Sequence, residues 1–386
     1  MRLLRIHYLG SRQFVDHKIW RLTSVGMPSP TFVDVFAGCG GLALGFALAG
    51  MKPVLAIELD EDSAETYRAN VDPDVEVDDI ANVTKLPRAD VLIGGPPCQG
   101  FSALGTRDRL DPRNRLWREY VRVLDATEAD VFVMENVPGL LSSAQFAMFT
   151  NAVAARGFHL AADAILNAAD FGVAQRRRRA IVIGSKLAVP DLPMRTHGRG
   201  LKPYSTVRDA FNEFPALSAE PTGRNWHRGR TRVHEYSLVR YRAVPPGGNR
   251  FDMQRNLDAA DMAHLVPACW RRKQSGTVDV FGRLRWDEPS VTIRTEFFKP
   301  EKGRYLHPEA DRPITVREAA RLQSFPDSFA FREEQALSSV ARQIGNAVPP
   351  LLAKAVAEAV ITHLLAYRGP TRAVRATAKT PALVPA

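Results

Sequence analysis

From residue 31 to about residue 185 the chain alternates short apolar runs with stretches of helical pattern, and few folds accept that arrangement. The runs are Phe32–Phe36, Pro53–Ile57, Val91–Ile93, Val131–Met134 and Ala180–Ile183; helical patterns cover Gly41–Ala49, Ser63–Asn70 and Leu116–Ala126. Strands that read as unbroken apolar stretches are covered on both faces. Strand and helix in alternation therefore predict an α/β fold: a doubly wound, mostly parallel, Rossmann-like sheet. Such sheets bind ligands beyond the carboxyl ends of their strands. The residues just after each apolar run are where chemistry is to be sought.

The rest of the chain has a different texture. Residues 1–30 carry no clear period and read as an N-terminal extension, with Met27, directly before Pro28-Ser29-Pro30, a candidate start. Between about 186 and 280 prolines, glycines and arginines accumulate, with 16 Lys/Arg against 9 Asp/Glu. Most of the formal charge of +10 sits there, and 186–310 reads as a smaller basic domain suited to a polyanionic partner. Helical patterns return over 311–367, and the Arg/Ala/Thr/Pro-rich tail 368–386 reads as disordered. No run approaches 18 apolar residues, so no membrane span or membrane partner is expected. Cys39, Cys98 and Cys269 are too few and too scattered for a disulfide framework, which fits a reducing, cytoplasmic setting. His197, His227, His234 and His264 share their region with Cys269 but match no metal-ligand spacing, so no metal is assigned.

The first apolar run leads into Ala37-Gly38-Cys39-Gly40-Gly41, a glycine turn before a helix. Glycines let the backbone turn tightly and approach a ligand closely. Glu58 ends the next strand, 20 residues after Gly38. A carboxylate at that place accepts hydrogen bonds from ribose hydroxyls. Asp78-Asp79-Ile80 follows at a third strand end and suits an adenine amino group. A dinucleotide and an adenosyl cofactor both fit these residues; the Gly-x-Gly-Gly spelling favours the second. Cys39 reads as a small packing residue.

Three further segments gather reactive groups. Asp90-Val91-Leu92-Ile93 runs into Gly94-Gly95-Pro96-Pro97-Cys98-Gln99-Gly100-Phe101-Ser102, which sets a thiol past a strand end on a loop stiffened by two prolines. Cys98 is a nucleophile candidate there. Glu135, in Met134-Glu135-Asn136-Val137-Pro138-Gly139, ends another strand, and a parallel sheet would bring it to the same edge as a general acid. The basic run Gln175-Arg176-Arg177-Arg178-Arg179 completes the set. In an extended chain Gln175, Arg177 and Arg179 share one face, and Arg176 and Arg178 the other.

These segments together resemble the DNA (cytosine-5) methyltransferases, of the kind found in bacterial restriction-modification systems. The resemblance rests on Phe36-Ala37-Gly38-Cys39-Gly40-Gly41, Gly95-Pro96-Pro97-Cys98-Gln99, Glu135-Asn136-Val137, and Gln175-x-Arg177-x-Arg179. Arg317-Glu318-Ala319-Ala320-Arg321-Leu322-Gln323-Ser324-Phe325-Pro326-Asp327 and Gln343-Ile344-Gly345-Asn346-Ala347-Val348-Pro349-Pro350 extend it to about residue 360. Ala174 and Leu59 are minor departures, standing where the family usually has proline and where some members carry an aromatic.

The resemblance implies S-adenosylmethionine as methyl donor, lined by Phe36, Gly38, Gly40, Glu58, Leu59, Asp79, Pro97 and Asn346. It implies that 31–185 binds this donor and carries catalysis, that 186–310 recognises the target, and that the helices of 311–367 return to the first domain. Cys98, Glu135, Arg177 and Arg179 would be catalytic: the thiolate adds to cytosine C6, Glu135 protonates N3, Arg179 stabilises charge at O2, and Arg177 assists through O2, the phosphate or Glu135 itself. The base must leave the duplex to reach them. Residues 100–118, with Arg107, Arg109, Arg113 and Arg115, are expected to close over it as a lid. Arg224, Arg228, Arg230, Arg232, Arg240, Arg242, Asn249 and Arg250 are candidate base readers, and Arg271, Arg272 and Lys273 candidate phosphate ligands. Double-stranded DNA is the expected partner, a cognate restriction endonuclease a functional one, and a monomer the expected state. The alternatives are a cytosine-5 methyltransferase acting on tRNA, a DNA-binding regulator without catalysis, and a nicotinamide dehydrogenase. The dehydrogenase reading explains the glycine turn but leaves Pro-Pro-Cys-Gln and Glu-Asn-Val idle.

Overall fold

Among the described residues eight strands form one sheet: β1 (Thr31–Val35), β2 (Lys52–Glu58), β3 (Val75–Val77), β4 (Val91–Gly94), β5 (Val131–Asn136), β6 (His159–Leu160), β7 (Ala164–Asn167) and β8 (Arg178–Ser185). Their order is β3-β2-β1-β4-β5-β8-β6, with β7 also paired to β8. Strands β1 to β5 are mutually parallel; β8 runs antiparallel to β5, and β6 and β7 antiparallel to β8. The order reverses between β1 and β4, and a doubly wound sheet opens its ligand crevice at that reversal. The computed structural model describes residues 29–72, 74–97, 116–162, 164–212, 234–267, 270–271 and 278–368. Outside them lie nearly all of the N-terminal extension, Cys98, residues 100–115 of the expected lid, Arg224, Arg228, Arg230, Arg232, Arg272, Lys273 and the tail after residue 368.

The apolar runs are continuous because helices cover both faces of the sheet. Phe32, Ala56, Val91, Ile93, Val131, Val133, Ile181 and Ile183 point to one face and pack with α1 (Gly41–Leu48) and the long α10 (Pro350–Arg368). Val33, Val35, Leu92, Phe132, Met134 and Val182 point to the other and pack with α3 (Leu116–Ala126) and α4 (Ala144–Ala154). This is the period-two alternation of strands applied to a three-layer sandwich. Helix starts are locally encoded: Asp60 caps α2 (Glu61–Asn70) by accepting from the Ser63 amide, and Thr315 and Glu318 form a capping box on α8 (Val316–Leu322).

The C-terminal helices close onto the first part of the chain. A methyl on Gly45 of α1 would lie 2.3 Å from Ala353 Cβ and 2.6 Å from the Pro350 carbonyl, so α1 and α10 touch at backbone distance. Arg368, at the end of α10, binds Asp90 and Asp130, the residues ahead of β4 and β5. An 18-residue window within residues 337–368 reaches a mean hydropathy of 1.4, enough by length and composition to cross a membrane, yet 56% of that window is buried inside the structure. Its apolarity is that of a core helix.

The basic region adds α5 (Val207–Phe211), α6 (Glu235–Arg242) and α7 (Arg250–Ala259). A small core of its own unites Tyr241, Val244, Met253, Leu257, Leu265, Val266, Phe281 and Leu306. Another cluster joins Phe211, Leu284, Ile293 and Tyr305 to Ile314, Leu322, Phe325 and Ile344, the last in α9 (Leu337–Asn346). The division at 310/311 drawn on sequence runs through this cluster.

Candidate active site

The glycine turn follows β1, at the reversal of the strand order between β1 and β4. Phe36, Gly38 and Gly40 all adopt positive φ, at 56°, 54° and 91°. A Cβ at Gly40 would lie 2.8 Å from Val71 and 2.9 Å from the Tyr67 ring, so only glycine packs there. A Cβ at Gly38 would meet nothing within 4 Å, because this residue faces open space. The Gly38 amide donates to Glu58 Oε2 at 2.7 Å, and the Asp60 amide to Oε1 at 2.9 Å. Burial pushes the Glu58 carboxyl up, against the pull of those amides. Leu59, Asp79, Pro97 and Asn346 are exposed. Asn346 is brought to the turn by packing: a Cβ on Gly41 would sit 2.5 Å from the Val348 carbonyl, and the Cys39 thiol donates to the Gln343 carbonyl at 3.7 Å. Burial pushes that thiol up to about 12, so Cys39 stays protonated and packs. An open glycine turn with a fixed carboxylate on the neighbouring strand fits an adenosyl group.

Sequence reasoning missed Asp34. It lies in β1, fully buried, and neither carboxylate oxygen has a hydrogen-bond partner among the described residues. Burial holds its carboxyl well above the usual range, with Glu58 adding to the shift. An acid within an otherwise apolar strand, two residues before Phe36, was the available signal.

The reacting edge lies one strand further along. Gly94 of β4 stands beside Met134 of β5, so the loop after β4 runs next to Glu135. Asn136 fastens that loop by donating from Nδ2 to the Pro96 carbonyl at 2.8 Å. A Cβ on Gly95 would lie 3.1 Å from Glu135 Oε2; glycine keeps that oxygen clear. Glu135 is inside β5, since the strand continues to Asn136 where the apolar pattern stops at Met134. Its Oε1 is 2.9 Å from Arg179 Nε, both side chains being largely buried. That contact is an ion pair rather than a well-aligned hydrogen bond. Burial pushes the Glu135 carboxyl up, against Arg179 and Arg177, which pull it down. Cys98 is outside the described residues; the described chain stops at Pro97, which is exposed.

The basic run alternates: Gln175 and Arg177 are buried and Arg179 half-buried, while Arg176 and Arg178 are exposed. Arg177 makes its direct contacts away from Glu135, although its charge reaches that carboxyl. Its guanidinium is fully buried and donates to the main-chain carbonyls of Ile293, Gly345 and Asn346. Arg179 alone of the pair contacts Glu135 directly. In the basic region, Asn249 caps α7 by accepting from the Phe251 amide, Arg250 is buried over the Phe251 ring, and Arg240 donates to the Leu265 carbonyl. These contacts tie the three side chains to the small domain. Arg242 is mostly exposed beside Asp311, and Arg271 is exposed.

A parallel sheet with an open glycine turn at its reversal, and an acid–arginine pair one strand away, defines an adenosyl-dependent transferase. The chain belongs to the C-5 cytosine-specific DNA methylase family, whose model matches residues 30–362. It is 37% identical over 353 residues to the Type II methyltransferase M1.HphI of Haemophilus parahaemolyticus, covering 86% of this chain and 87% of that one. It is 32% identical over 384 residues to M.DdeI of Desulfomicrobium norvegicum, covering 85% and 88%. Among solved structures, a protein described as a prophage-encoded DNA modification methyltransferase (E. coli) superposes with a TM-score of 0.61 at 26% identity, covering 87% of this chain and 99% of that one. Dnmt2 of S. pombe shares the fold at a TM-score of 0.54 and 19% identity, covering 87% and 98%. S-adenosylmethionine is accordingly the methyl donor, and cytosine in DNA the acceptor.

Proposed function

We propose that the protein methylates C5 of a flipped-out cytosine in a specific duplex sequence, through a transient bond between Cys98 and C6, and so protects DNA from a cognate restriction endonuclease. The observation that carries this reading is the buried Glu135–Arg179 pair beside the loop that leads to Cys98. Cytosine C5 is a weak nucleophile while its ring is aromatic. Addition of the Cys98 thiolate at C6 breaks the aromaticity and makes C5 enamine-like, splitting one hard step into easier ones. Negative charge then moves towards N3 and O2. Glu135, its carboxyl pushed up by burial, donates a proton to N3. Arg179 stabilises the charge at O2, a type of contact worth about 3–4 kcal/mol in a transition state.

S-adenosylmethionine, when bound, supplies an electrophilic methyl group on a sulfonium. Phe36, Gly38, Gly40, Glu58, Leu59, Asp79, Pro97 and Asn346 would hold it: Glu58 at the ribose, Asp79 at the adenine amino group and Gly38 by leaving room at the turn. After C5 is methylated, a base takes the C5 proton, the thiolate leaves C6, and the N3 proton returns to Glu135, which restores the ring. Bisulfite sequencing of host DNA from cells expressing the protein should show one sequence class whose target cytosine stays unconverted. Purified protein that methylates tRNA and leaves duplex DNA unmodified would overturn the assignment of substrate. The relatives' Type II names support the protective role.

A further inference from the structure

The carbonyls that end α9 are all taken, and most of them by side chains from elsewhere in the chain. A helix leaves its last four carbonyls without intrahelical partners. Here the Gln343 carbonyl accepts from the Ala347 amide, and the Ile344 carbonyl accepts from Gln323 Nε2 at 2.6 Å. The Gly345 and Asn346 carbonyls accept from Arg177 Nη2 at 2.9 and 3.3 Å. Gln323 is in turn fixed by Gln175, whose Nε2 donates to Gln323 Oε1 at 2.9 Å. Gln175 and Arg177 also grip Ile293 from both sides: its amide donates to Gln175 Oε1 at 2.8 Å, and its carbonyl accepts from Arg177 Nη1 at 3.1 Å. A buried guanidinium on a helix C-terminus is favoured by the helix dipole as well as by these bonds. Two residues further along the chain, Arg179 holds Glu135.

We propose that Arg177 is a positioning residue for the methyl donor: with Gln175 and Gln323 it caps α9 and sets Asn346 at the glycine turn, and it does not touch the base. The proposal rests on the reading of Asn346 as a donor-binding residue. It assigns the Gln-x-Arg-x-Arg run two jobs, with Arg179 serving the acid of the base pocket and Arg177 serving the donor pocket behind it.

The test is calorimetric titration of the full chain with S-adenosylhomocysteine, without DNA, for wild type, Arg177→Lys, Asn346→Ala and the double variant. Lysine keeps the charge but cannot span carbonyls on two segments. Arg177→Lys should weaken binding about tenfold or more, and the double variant should bind within about twofold of Asn346→Ala, because coupled sites do not add. Affinity of Arg177→Lys for a labelled duplex of mixed sequence, measured by anisotropy, should stay within about twofold of wild type. Unchanged S-adenosylhomocysteine binding, additive losses, or lost DNA affinity with intact S-adenosylhomocysteine binding would each overturn the proposal. Should Arg177→Lys fail to fold, Gln323→Met replaces it, since it removes the donor to the Ile344 carbonyl and the acceptor of Gln175 Nε2 but leaves Arg177 in place; it should weaken binding too, and equal binding would overturn the proposal. Wild type that does not bind S-adenosylhomocysteine would sink the donor reading itself. Wild type that binds, beside variants that bind equally well, would sink the cap alone.

Discussion

Replacing Arg179 with methionine isolates the pair on which the chemistry rests. The two charges lie 2.9 Å apart with both side chains largely buried. At an effective dielectric constant near 20 their gross attraction is about 6 kcal/mol. Removing one partner of such a pair costs about 3–5 kcal/mol, because the other charge is left uncompensated. Glu135 has an escape, which is to take up a proton. Its carboxyl is already pushed up by burial, and loss of Arg179 pushes it further. A folded-state pKa raised above the unfolded one stabilises fully below the unfolded value, near 4.3, and that contribution fades as pH climbs through the folded value. The stability deficit of Arg179→Met is therefore small at pH 5 and grows towards pH 8. Thermal melts of wild type and variant at both pH values measure it. Single-turnover methylation should meanwhile fall about 10²–10³-fold. A melting deficit of the same size at pH 5 and pH 8 would refute the claim that Arg179 holds Glu135 by charge.

Three further outcomes follow from the same structure. Cys98→Ser should abolish turnover while S-adenosylhomocysteine binding, read by calorimetry, stays intact; wild-type turnover would remove the nucleophile assignment. Gly45→Ala gains about 1 kcal/mol of helix propensity but forces a methyl to 2.3 Å from Ala353, an overpacking that costs about 1–3 kcal/mol, so its melting temperature should drop; a rise would show that α1 and α10 can separate freely. Burial pushes His307 down to about 4, and Glu318 also lies below its usual range because its two oxygens, though buried, accept from Arg312. Both depressed groups support folding above their unfolded pKa values, so stability should fall from about pH 6.5 towards 4 through His307 and below about 4.5 through Glu318. His307→Gln should flatten the upper part of that melting profile, and an unchanged profile would assign the loss to other groups.

How much of this was legible in the sequence depends on how local each signal is. The apolar runs and the glycine turn are encoded within a few residues, and the five runs coincide with β1, β2, β4, β5 and β8. Direction is not encoded: the run at Ala180–Ile183 looks like the others but enters the sheet antiparallel to β5. Strand ends were blurred for a physical reason. Glu135 and Asn136 are polar yet remain in β5, because Arg179 and the Pro96 carbonyl give their side chains partners there. The inward face of Gln175, Arg177 and Arg179 was readable from alternation, but the acceptors of Arg177 were not. They lie 116 to 169 residues further along the chain, at Ile293, Gly345 and Asn346. The cap at Asn249 was equally hidden: three residues before Asp252 it forms a capping box, a helix-start pattern within an arginine-rich stretch.

The covalent step can be observed directly with duplex DNA carrying 5-fluorocytosine at the methylated position. Fluorine cannot leave as a proton does, so the enzyme should stall as a denaturation-resistant complex when S-adenosylmethionine is present. Peptide mapping of that complex should place the pyrimidine on Cys98, and Cys98→Ser should form none. Normal release of the fluorinated duplex, or a pyrimidine bonded to any residue other than Cys98, would contradict the account.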